Sequence, residues 1–487
     1  MTTSNNHTVE KIGGTSMSDY PAVRDNIMLN KLLKNPYQRV FVVSAYGGLT
    51  NLLLEHKKTA EPGIYGRFAL AEEDQSWIEA FGLVKDKMLS INSELFGDDS
   101  ALKEKADKFI LRRLTDAERV LSDLSSLCQH GHFEIADHLL KVREMLASIG
   151  EAHSAFNLTH LLQKEGINAV FVDLTGWDID KAVDMDELIK EKFWSLDLSK
   201  CLPIATGYCH SEKGLMATFD RGYSEMTFSR IAVLTKAKEA VIHKEYHLSS
   251  ADPKLVGLDK VVPIGLTNYD VADQLANLGM EAIHPRAAKG LRQSEIPLRV
   301  KNTFEPEHKG TLITSTYISD KPKVEIIAGR EKVYAFELFD QDMMGQVDAF
   351  DRKTLDLIHE LKMQMVSKDV TANSITHYLS CNLKKAKRLQ TLLEKHFPEA
   401  EVNVRKVCIV SAIGSDMQEA GMLARAVAAI AEQGISIQAL HQSMRQVDIQ
   451  FVLDEKHFES AVVALHKHLV ESENAFAGVT LDAPTAV

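Results

Sequence analysis

Apolar and polar positions follow two different rhythms along the first part of the chain. Short runs rich in Val, Ile and Phe alternate with stretches in which apolar residues recur at helical spacing. The short runs predict strands at 39–44, 169–174, 202–207, 240–243 and 298–301. An alternation of this kind predicts a mainly parallel sheet covered by helices, which is an α/β fold.

Between residues 70 and 148 the strand signal disappears, and helical periodicity with many charges takes its place. Only short breaks such as Gly97-Asp98-Asp99 interrupt this stretch, which predicts an inserted helical subdomain. A turn at 309–311 and a linker at 319–322 predict that the first domain ends near residue 315 and covers residues 1–315.

The remaining residues contain two rounds of one pattern, in which strands flank an amphipathic helix. The first round predicts strands at 324–327 and 333–338, a helix at 348–361, and strands at 364–368 and 374–379. The second predicts a strand at 405–411, a helix at 421–433, strands at 436–441 and 448–453, and then a helix at 456–469. Two such rounds are typical of a duplicated ligand-sensing module. Two ordinary α+β packing units explain the pattern equally well.

Composition narrows the class of protein. The 487 residues are 45% hydrophobic and 25% charged, which is ordinary for a folded chain of about three domains. The net charge of −12 disfavours non-specific binding to nucleic acid or to an anionic membrane. Five cysteines without a C-x-x-C pair, no apolar signal segment and no run of ~20 apolar residues predict a cytoplasmic protein with reduced thiols.

The segment Lys11-Ile12-Gly13-Gly14-Thr15-Ser16 is the first candidate for chemistry. It joins a lysine to a glycine pair at the end of a predicted strand, where backbone N–H groups can approach an anion. Because the lysine precedes the glycines, this is not a Walker loop. The segment predicts a phosphate site with Lys11 facing phosphoryl charge, whereas considered on its own it favours an ordinary strand-to-helix turn with a solvated lysine.

A second candidate lies at 218–227, where Arg221, Ser224 and Glu225 stand around Gly222 before a helix that we expect to begin near Met226. The guanidinium of Arg221 offers two parallel donors to a carboxylate. The alternative interpretation is a helix start with Ser224 as its N-cap and solvated charges.

Taken in chain order, these segments resemble the aspartokinases of the amino-acid kinase family, and the resemblance covers nearly the whole chain. Further matching segments are 42–53 (VVSAYGGLTNLL), 148–154 (SIGEAHS), 206–208 (TGY), 250–254 (SADPK), 283–286 (IHPR) and 300–304 (VKNTF). The resemblance implies a three-layer αβα kinase domain followed by two ferredoxin-like ACT domains. The second, at 401–473, would be inserted within the first, at 320–400 and 474–484, with the apolar run at 476–481 as a returning strand.

The function implied is transfer of the γ-phosphoryl group of ATP to the side-chain carboxylate of L-aspartate, with Mg²⁺ held mainly by phosphate oxygens and water. A carboxylate is already ionised, so no general base is needed. The roles carried over from the family are catalysis by Lys11 and Glu225, aspartate binding by Thr50, Glu151, Arg221 and Ser224, and nucleotide binding by Lys11, Gly13, Gly14, Ser16 and Lys254. Glu151, at a helix start, would accept from the substrate amine.

Some positions depart from the family pattern. Glu225 replaces an aspartate and Tyr223 a glycine, while His243-Lys244-Glu245-Tyr246-His247-Leu248-Ser249-Ser250 replaces most of the usual adenine and ribose segment. Lys254 stands where arginine is expected. This divergence resembles the aspartokinase branch associated with ectoine synthesis, in which we expect feedback by lysine or threonine to be lost.

Two other functions remain open at this point. One is another carboxylate kinase of the same fold, such as a glutamate kinase, and the other is a non-catalytic amino-acid sensor. The resemblance also implies an amino-acid effector at the ACT domains and a homodimer or larger homo-oligomer. Histidines such as His153 and His284 lack a ligand partner at helical spacing, so no metal site is predicted.

Overall fold

The structure is a computed structural model that describes residues 6–31, 35–57, 59–70, 76–97, 99–130, 132–179, 183–219, 222–280 and 282–471. By their contacts the residues fall into two compact units. The first comprises Met1–His247 and Ile283–Ser315, and the second comprises Leu248–Ala282 and Thr316–Val487. Arg221 and the run at 476–481 lie outside the described residues.

The strands are β1 (Thr8–Ile12), β2 (Arg39–Val43), β3 (Ala169–Val172), β4 (Leu202–Thr206), β5 (Glu239–Lys244), β6 (Leu266–Asn268), β7 (Leu298–Asn302), β8 (Thr311–Thr314), β9 (Ile326–Phe339), β10 (Gln364–Val370), β11 (Ser374–Ser380), β12 (Glu401–Ile413), β13 (Ala439–Gln442) and β14 (Asp448–Asp454). The five strands predicted from apolar runs in the first part of the chain are confirmed as β2, β3, β4, β5 and β7, with ends that differ slightly.

The helices are α1 (Gly14–Met17), α2 (Tyr20–Ala22), α3 (Leu49–Leu53), α4 (Ile64–Leu70), α5 (Ser76–Phe96), α6 (Ser100–Leu127), α7 (Leu139–Lys164), α8 (Met185–Trp194), α9 (Leu215–Phe219), α10 (Tyr223–Thr235), α11 (Pro253–Val256), α12 (Tyr269–Asn277), α13 (Pro285–Gln293), α14 (Val347–Glu360), α15 (Leu383–His396), α16 (Met422–Ala431) and α17 (Phe458–His466). No helix in the described part of the chain is long and apolar enough to cross a bilayer.

The sheet of the first unit runs in the order β3-β4-β2-β1-β5-β7-β8, with parallel pairing everywhere except between β7 and β8. Every residue of its strand β2 is buried. Parallel strands place all their carboxyl ends at one edge, where ligands bind in open α/β sheets. The ends of β1, β2, β4 and β5 therefore form one row.

The stretch predicted to be helical contains α5, which ends at Phe96, and α6, which begins at Ser100 with Asp99 as its N-cap. The helix that carries Glu151 differs from the expectation. It begins at Leu139 and continues to Lys164, so Glu151 lies in its middle instead of at its start. The sequence analysis did not predict this earlier start, because the helical pattern of the charged stretch continues directly into α7.

In the second unit both rounds of the repeated pattern share one antiparallel sheet with the order β10-β11-β9-β12-β14-β13. Two strands predicted at 324–327 and 333–338 are wrong, because β9 is continuous from Ile326 to Phe339. The register against β12 shifts between Val407 and Ile409, so an irregularity bends the strand without ending it. Helix α15 is an element that the sequence analysis missed, although Asn382 caps it.

Candidate active site

Strand β1 brings Lys11 to the carboxyl edge of the sheet. It lies between β2 and β5, and Lys11 precedes its last residue. The Lys11 side chain is only 11% exposed, and its Nζ lies 3.5 Å from Oε1 of Glu225. A cation held here by one carboxylate remains close enough to solvent to meet an anionic substrate.

The two glycines after β1 play different steric roles. A Cβ at Gly14 would lie 2.6 Å from the carbonyl oxygen of Ala45, so the close approach of the loops after β1 and β2 requires glycine. At Gly13 the nearest described atom to such a Cβ would be the His243 carbonyl oxygen, at 3.9 Å. Gly13 is the N-cap of α1 with a φ of −72°, which any residue adopts. Packing therefore explains Gly14 but not Gly13.

Ser16 is fully buried, and its hydroxyl already has partners in the protein. It donates to Oε1 of Glu245 at 3.1 Å and lies 3.2 Å from Oγ1 of Thr303. These bonds connect α1 with the segments that follow β5 and β7. Ser16 thus positions the loop that the sequence analysis assigned to the nucleotide.

Glu225 lies in the first turn of α10, which begins at Tyr223 with Gly222 as its N-cap. The expected start near Met226 and the alternative of Ser224 as N-cap are both wrong. Glu225 receives a second hydrogen bond, from the His284 amide to Oε2 at 2.5 Å. Burial alone would raise its pKa, but Lys11, Lys244 and that amide outweigh burial and lower the pKa of the Glu225 carboxyl. The carboxylate is therefore ionised beside Lys11.

Glu151 is the opposite case. It is 2% exposed, and burial raises its pKa well above the usual range, although Lys11 and hydrogen bonds from Tyr223 and the Tyr208 main chain act in the other direction. Among the residues that the structure describes, no hydrogen-bond donor reaches its Oε2. Burial therefore favours the neutral form of this acid, whereas a bound cation would favour its ionised form.

Gly207, at the end of β4, allows Glu151 and Ser224 to come close together. A Cβ there would lie 2.8 Å from Cβ of Ser224 and 3.1 Å from Cδ of Glu151. The Ser224 hydroxyl lies 3.4 Å from that of Ser44, which follows β2. The ends of β2 and β4 therefore meet the first turn of α10 and the middle of α7.

Thr50 lies on α3, which packs against the same part of α7. A Cβ at Gly150 would lie 2.8 Å from Cβ of Ala45 and 3.4 Å from Cδ1 of Leu53, so no larger residue fits between these elements. The half-buried Thr50 therefore stands on an element in contact with the turn that precedes Glu151. The Ser154 hydroxyl donates to the Ser44 carbonyl at 2.8 Å and thereby holds the loop between β2 and α3.

Sequence reasoning missed Glu144, two helical turns before Glu151 on α7. Its Oε2 accepts from the Tyr208 hydroxyl at 2.7 Å and from the Leu215 amide at 3.0 Å, while Oε1 accepts from the Ala217 amide at 3.0 Å. Glu144 thereby holds the loop after β4, whose Tyr208 main chain bonds Glu151. Its seven-residue spacing from Glu151 was the available signal, but the expected helix start at residue 148 concealed it.

The histidine that departs from the family pattern at the end of β5 belongs to a buried ion cluster. His243 Nε2 lies 2.8 Å from Oε2 of Glu10, and Arg39 holds the same carboxylate with bonds of 2.7 and 2.8 Å. Burial opposes ionisation of Glu10, but Arg39 and His243 hold its pKa well below the usual value. Glu10 alternates with Lys11 along β1, so this cluster stabilises the strand from the opposite face.

The remaining two predicted site residues are Arg221 and Lys254. Arg221 lies outside the described residues. Lys254 belongs to the second unit, where it is exposed on α11 and its amide donates to Oδ1 of the N-cap Asp252 at 2.9 Å. Within the described ranges, no group of three or more His, Cys, Asp or Glu side chains is arranged to hold a metal ion.

Comparison with known proteins adds two family matches. Residues 6–302 match the amino acid kinase family, and residues 410–469 match the ACT domain. A protein of Stutzerimonas stutzeri (strain A1501) named Aspartate kinase Ask_Ect is 56% identical over 469 residues, covering 96% of this chain and 98% of that protein. Aspartokinase 1, chloroplastic, of Arabidopsis thaliana is 27% identical over 490 residues, covering 95% of this chain and 80% of that protein.

Solved structures show the same fold. The crystal structure of E. coli aspartokinase III in complex with lysine and aspartate matches with a TM-score of 0.71 at 18% identity, covering 96% of this chain and 100% of that one. The Clostridium acetobutylicum aspartate kinase matches with a TM-score of 0.67 at 19% identity, covering 95% of this chain and 100% of that one. At these identities the likeness concerns the fold alone.

Proposed function

This chain belongs to the amino acid kinase family, and we propose that it is an aspartate kinase whose site is built around Lys11. The reaction is transfer of the γ-phosphoryl group of ATP to the side-chain carboxylate of L-aspartate, giving 4-phospho-L-aspartate and ADP. The observation that carries the proposal is the meeting of a buried cation, an acid with a lowered pKa and an acid with a raised pKa at one edge of the sheet. These are Lys11, Glu225 and Glu151.

The protein supplies charge and alignment instead of a base. The aspartate side chain is ionised at neutral pH and can attack without losing a proton. Lys11 neutralises charge on the transferred phosphoryl group, and Glu225 holds the Lys11 ammonium at 3.5 Å. The His284 amide fixes the other carboxylate oxygen of Glu225, so the ammonium keeps one position during transfer.

The steric room at Gly13 supports ATP binding at the loop after β1, because the nearest described atom to a Cβ there would be the His243 carbonyl oxygen, at 3.9 Å. We propose that the Gly13 and Gly14 amides meet phosphate oxygens and that Ser16 supports them from within the protein. Mg²⁺ would supply additional charge neutralisation through phosphate oxygens and water. Lys254 is proposed as a further nucleotide contact from the family resemblance alone.

For the acceptor, Glu151 is proposed to bind the ammonium group of aspartate. The Glu151 carboxyl would lose its proton when the ammonium arrives, since an adjacent cation favours the ionised form. Thr50 and Ser224 would donate hydrogen bonds to aspartate oxygens, and Arg221 would hold one carboxylate with its two-pronged guanidinium.

Several finer assignments remain proposals. The name of the Stutzerimonas stutzeri relative supports a place in the ectoine-associated branch. We retain the domain bounds of 1–315 for the kinase, 320–400 with 474–484 for the first ACT domain, and 401–473 for the second. A homodimer or larger assembly, an amino-acid effector at the ACT domains and a cytoplasmic location are proposed from the family resemblance.

The decisive experiment traps the acyl phosphate with hydroxylamine. The full chain is incubated with ATP and Mg²⁺, together with L-aspartate, L-glutamate or neither, and the hydroxamate is measured. We expect hydroxamate from aspartate only. Product from glutamate alone would favour the other carboxylate kinase, and no product from either would favour the non-catalytic sensor.

A second assay tests the regulatory assignment. Lysine and threonine are titrated into the aspartate reaction, separately and together, at low aspartate concentration. We expect neither amino acid to inhibit, because an osmolyte pathway should continue when protein precursors are plentiful. Strong inhibition by either one would contradict this assignment while leaving the kinase activity intact.

A further inference from the structure

Three fully buried polar side chains lie where α5 meets α7, and the proposed mechanism does not use them. They are Asn92 on α5 and His153 and Asn157 on α7. The Asn92 oxygen Oδ1 lies 2.6 Å from Nε2 of His153 and accepts from Nδ2 of Asn157 at 2.7 Å. We call these three residues the amide–imidazole cluster. It connects the charged helical stretch with the helix that carries Glu151.

Asp107 on α6 fixes the direction of the hydrogen bonds in this cluster. Its Oδ1 accepts from Nδ2 of Asn92 at 2.8 Å, and its Oδ2 accepts from Lys103 at 2.7 Å. Because a carboxylate can only accept, the amide nitrogen of Asn92 faces α6 and its carbonyl oxygen faces α7. Burial lowers the pKa of His153 to about 3, so the imidazole is neutral at physiological pH. Its single proton is therefore on Nε2, where the Asn92 oxygen accepts it.

The cluster is an inefficient way to stabilise the fold. Among the residues that the structure describes, no donor reaches Nδ1 of His153 or Oδ1 of Asn157. Buried acceptors without donors reduce stability, whereas apolar side chains of similar size in all three places would avoid this loss. We therefore expect the cluster to contribute orientation, because each of its hydrogen bonds fixes one side chain in a single direction.

Tyr46 is the side chain that both α7 members of the cluster meet. It lies in the loop between β2 and α3 and is 5% exposed. The rings of Tyr46 and His153 meet edge to face, with 5.4 Å between their centroids. Burial raises the pKa of the Tyr46 hydroxyl, and Asn157, as its hydrogen-bond partner, acts in the other direction. The orientation set by Asn92 is thus passed to this loop.

The loop between β2 and α3 packs in turn against the segment that follows β1. The Gly47 amide donates to Oγ of Ser18 at 2.9 Å, and the same hydroxyl donates to the Gly14 carbonyl at 3.2 Å. The Ala45 carbonyl oxygen would lie 2.6 Å from a Cβ at Gly14, so the two backbones are in close contact there. A shift of Tyr46 would therefore be passed to the backbone at Gly14.

We propose that Asn92 and His153 are positioning residues, through which α5 and α6 fix Tyr46 and hold the loops after β1 and β2 in the alignment that phosphoryl transfer requires. This inference rests on the proposed function, in which the loop after β1 meets the phosphates of ATP. All the groups involved lie in the first unit. The charged helical stretch thereby takes part in catalysis through the loops that it supports.

Steady-state kinetics of the full chain give the first test. His153→Leu removes the ring that meets Tyr46 and the donor to Asn92. We expect kcat to fall roughly tenfold, because misalignment slows transfer, while the KM for aspartate changes less. Asn92→Leu removes the acceptor that orients His153 and should lower kcat in the same way. His153→Phe keeps a ring beside Tyr46 and loses only the hydrogen bond, so a smaller fall is expected.

Thermal unfolding separates positioning from general damage. Replacement of all three cluster residues by leucine removes the donors together with the unpaired acceptors. We expect this triple variant to unfold at the same temperature as the unaltered chain or above it, and still to show the lowered kcat. Ser93→Ala is the matched control and should keep full activity, because Ser93 is the exposed neighbour of Asn92 on α5 and donates to the Leu89 carbonyl at 2.9 Å. If kcat falls only in variants that unfold at a lower temperature, the cluster is structural and the proposal is overturned.

Hydrogen exchange gives a readout that needs no activity. In His153→Leu the amides of Ser44, Gly47 and Leu49 should exchange faster, because their hydrogen bonds hold the displaced loop. The amides of β4 and α10 should keep their protection. A folded His153→Leu protein in which either kcat or this exchange is unchanged overturns the proposal. The proposed function fails separately, when the unaltered chain forms no hydroxamate from aspartate, and exchange then still shows whether the cluster holds the loop.

Discussion

The region around Lys11 and segment 248–262 both contain residues that the sequence analysis assigns to the nucleotide, yet they are constructed in different ways. Around Lys11 the functional groups are buried charged side chains at the ends of parallel strands. In segment 248–262 the ordered groups are main-chain amides, small buried side chains and one buried hydroxyl, and Lys254 is exposed.

This difference separates chemistry from binding. Charges buried beside the reacting groups act on the transition state, because low polarity strengthens them there. A segment held by its backbone can orient a ligand but adds little to the chemical step. Substitutions of the charged groups Lys11 and Glu225 should therefore lower kcat, and substitution of Lys254 should raise the KM for ATP.

The largest effect is expected from Lys11→Met, which keeps the length of the side chain and removes its charge. We expect kcat to fall about a thousandfold, since a preorganised cation at the transferred group is lost. The KM for aspartate should change much less. Hydroxamate formation measures both values.

The exposed residue Lys213 supplies the control for this experiment. Lys213→Met should retain full activity. If Lys11→Met keeps a kcat within a few-fold of the unaltered chain while remaining folded, Lys11 is not the group that stabilises the phosphoryl charge.

The second effect concerns Glu151, the acid whose pKa is raised by burial. Glu151→Gln cannot ionise to meet the aspartate ammonium, so we expect the KM for aspartate to rise roughly fiftyfold, as for loss of a charged hydrogen bond. The unaltered chain should bind aspartate more weakly as the pH falls below the raised pKa of Glu151. Aspartate titrations over a pH series should show this dependence, and the Gln variant should lack it.

The same residue predicts a stability difference of defined sign. Because the folded-state pKa of Glu151 is raised, the folded protein holds a proton that the unfolded chain releases between the two pKa values. This contribution to stability is present below the unfolded pKa and is lost as the pH rises through the folded one. The temperature of thermal unfolding should therefore fall less with rising pH in Glu151→Gln than in the unaltered chain.

Much of the first unit could be predicted from sequence because its signals are local. Apolar runs identified the strands, and the glycine pair after Lys11 identified a turn whose geometry depends mainly on neighbouring residues. The contacts of Glu144 and His466 could not be read in this way. Each residue is hydrogen-bonded to a partner far along the chain, namely Tyr208 and Ser250.

Segment 248–262 shows the same limit of local sequence patterns. Its motif suggests a nucleotide contact, and nothing local indicates that Ala251 and Val256 belong to a core with α17. Similarly, two predicted strands became the single strand β9 because the partner strand β12 accommodates the irregularity. Tertiary pairing, which single-sequence patterns do not contain, decided both outcomes.

A smaller effect is expected from Glu225→Asp, which introduces the residue usual in the family. The Glu225 carboxylate spans Lys11 Nζ at 3.5 Å and the His284 amide at 2.5 Å. A side chain shorter by one methylene cannot keep both contacts without movement of α10. We expect kcat to fall about tenfold, through misplacement of Lys11. An unchanged kcat would mean that α10 adjusts freely.

Gly13 and Gly14 are adjacent, yet their alanine variants are expected to have opposite effects on stability and on nucleotide binding. In Gly14→Ala the new Cβ would overlap the Ala45 carbonyl, so we expect a loss of about 1–3 kcal/mol of stability in thermal or denaturant unfolding. In Gly13→Ala no described atom obstructs the Cβ, and the backbone φ of −72° suits alanine, so stability should hold.

The cost of Gly13→Ala should appear instead in nucleotide binding. If a phosphate lies against the Gly13 amide, the added methyl group should raise the KM for ATP roughly fivefold while the KM for aspartate stays constant. Kinetics and unfolding of the two variants side by side decide the matter. A Gly13→Ala protein with an unaltered KM for ATP would show that the phosphates lie elsewhere. The buried position of Lys11 would then require another explanation.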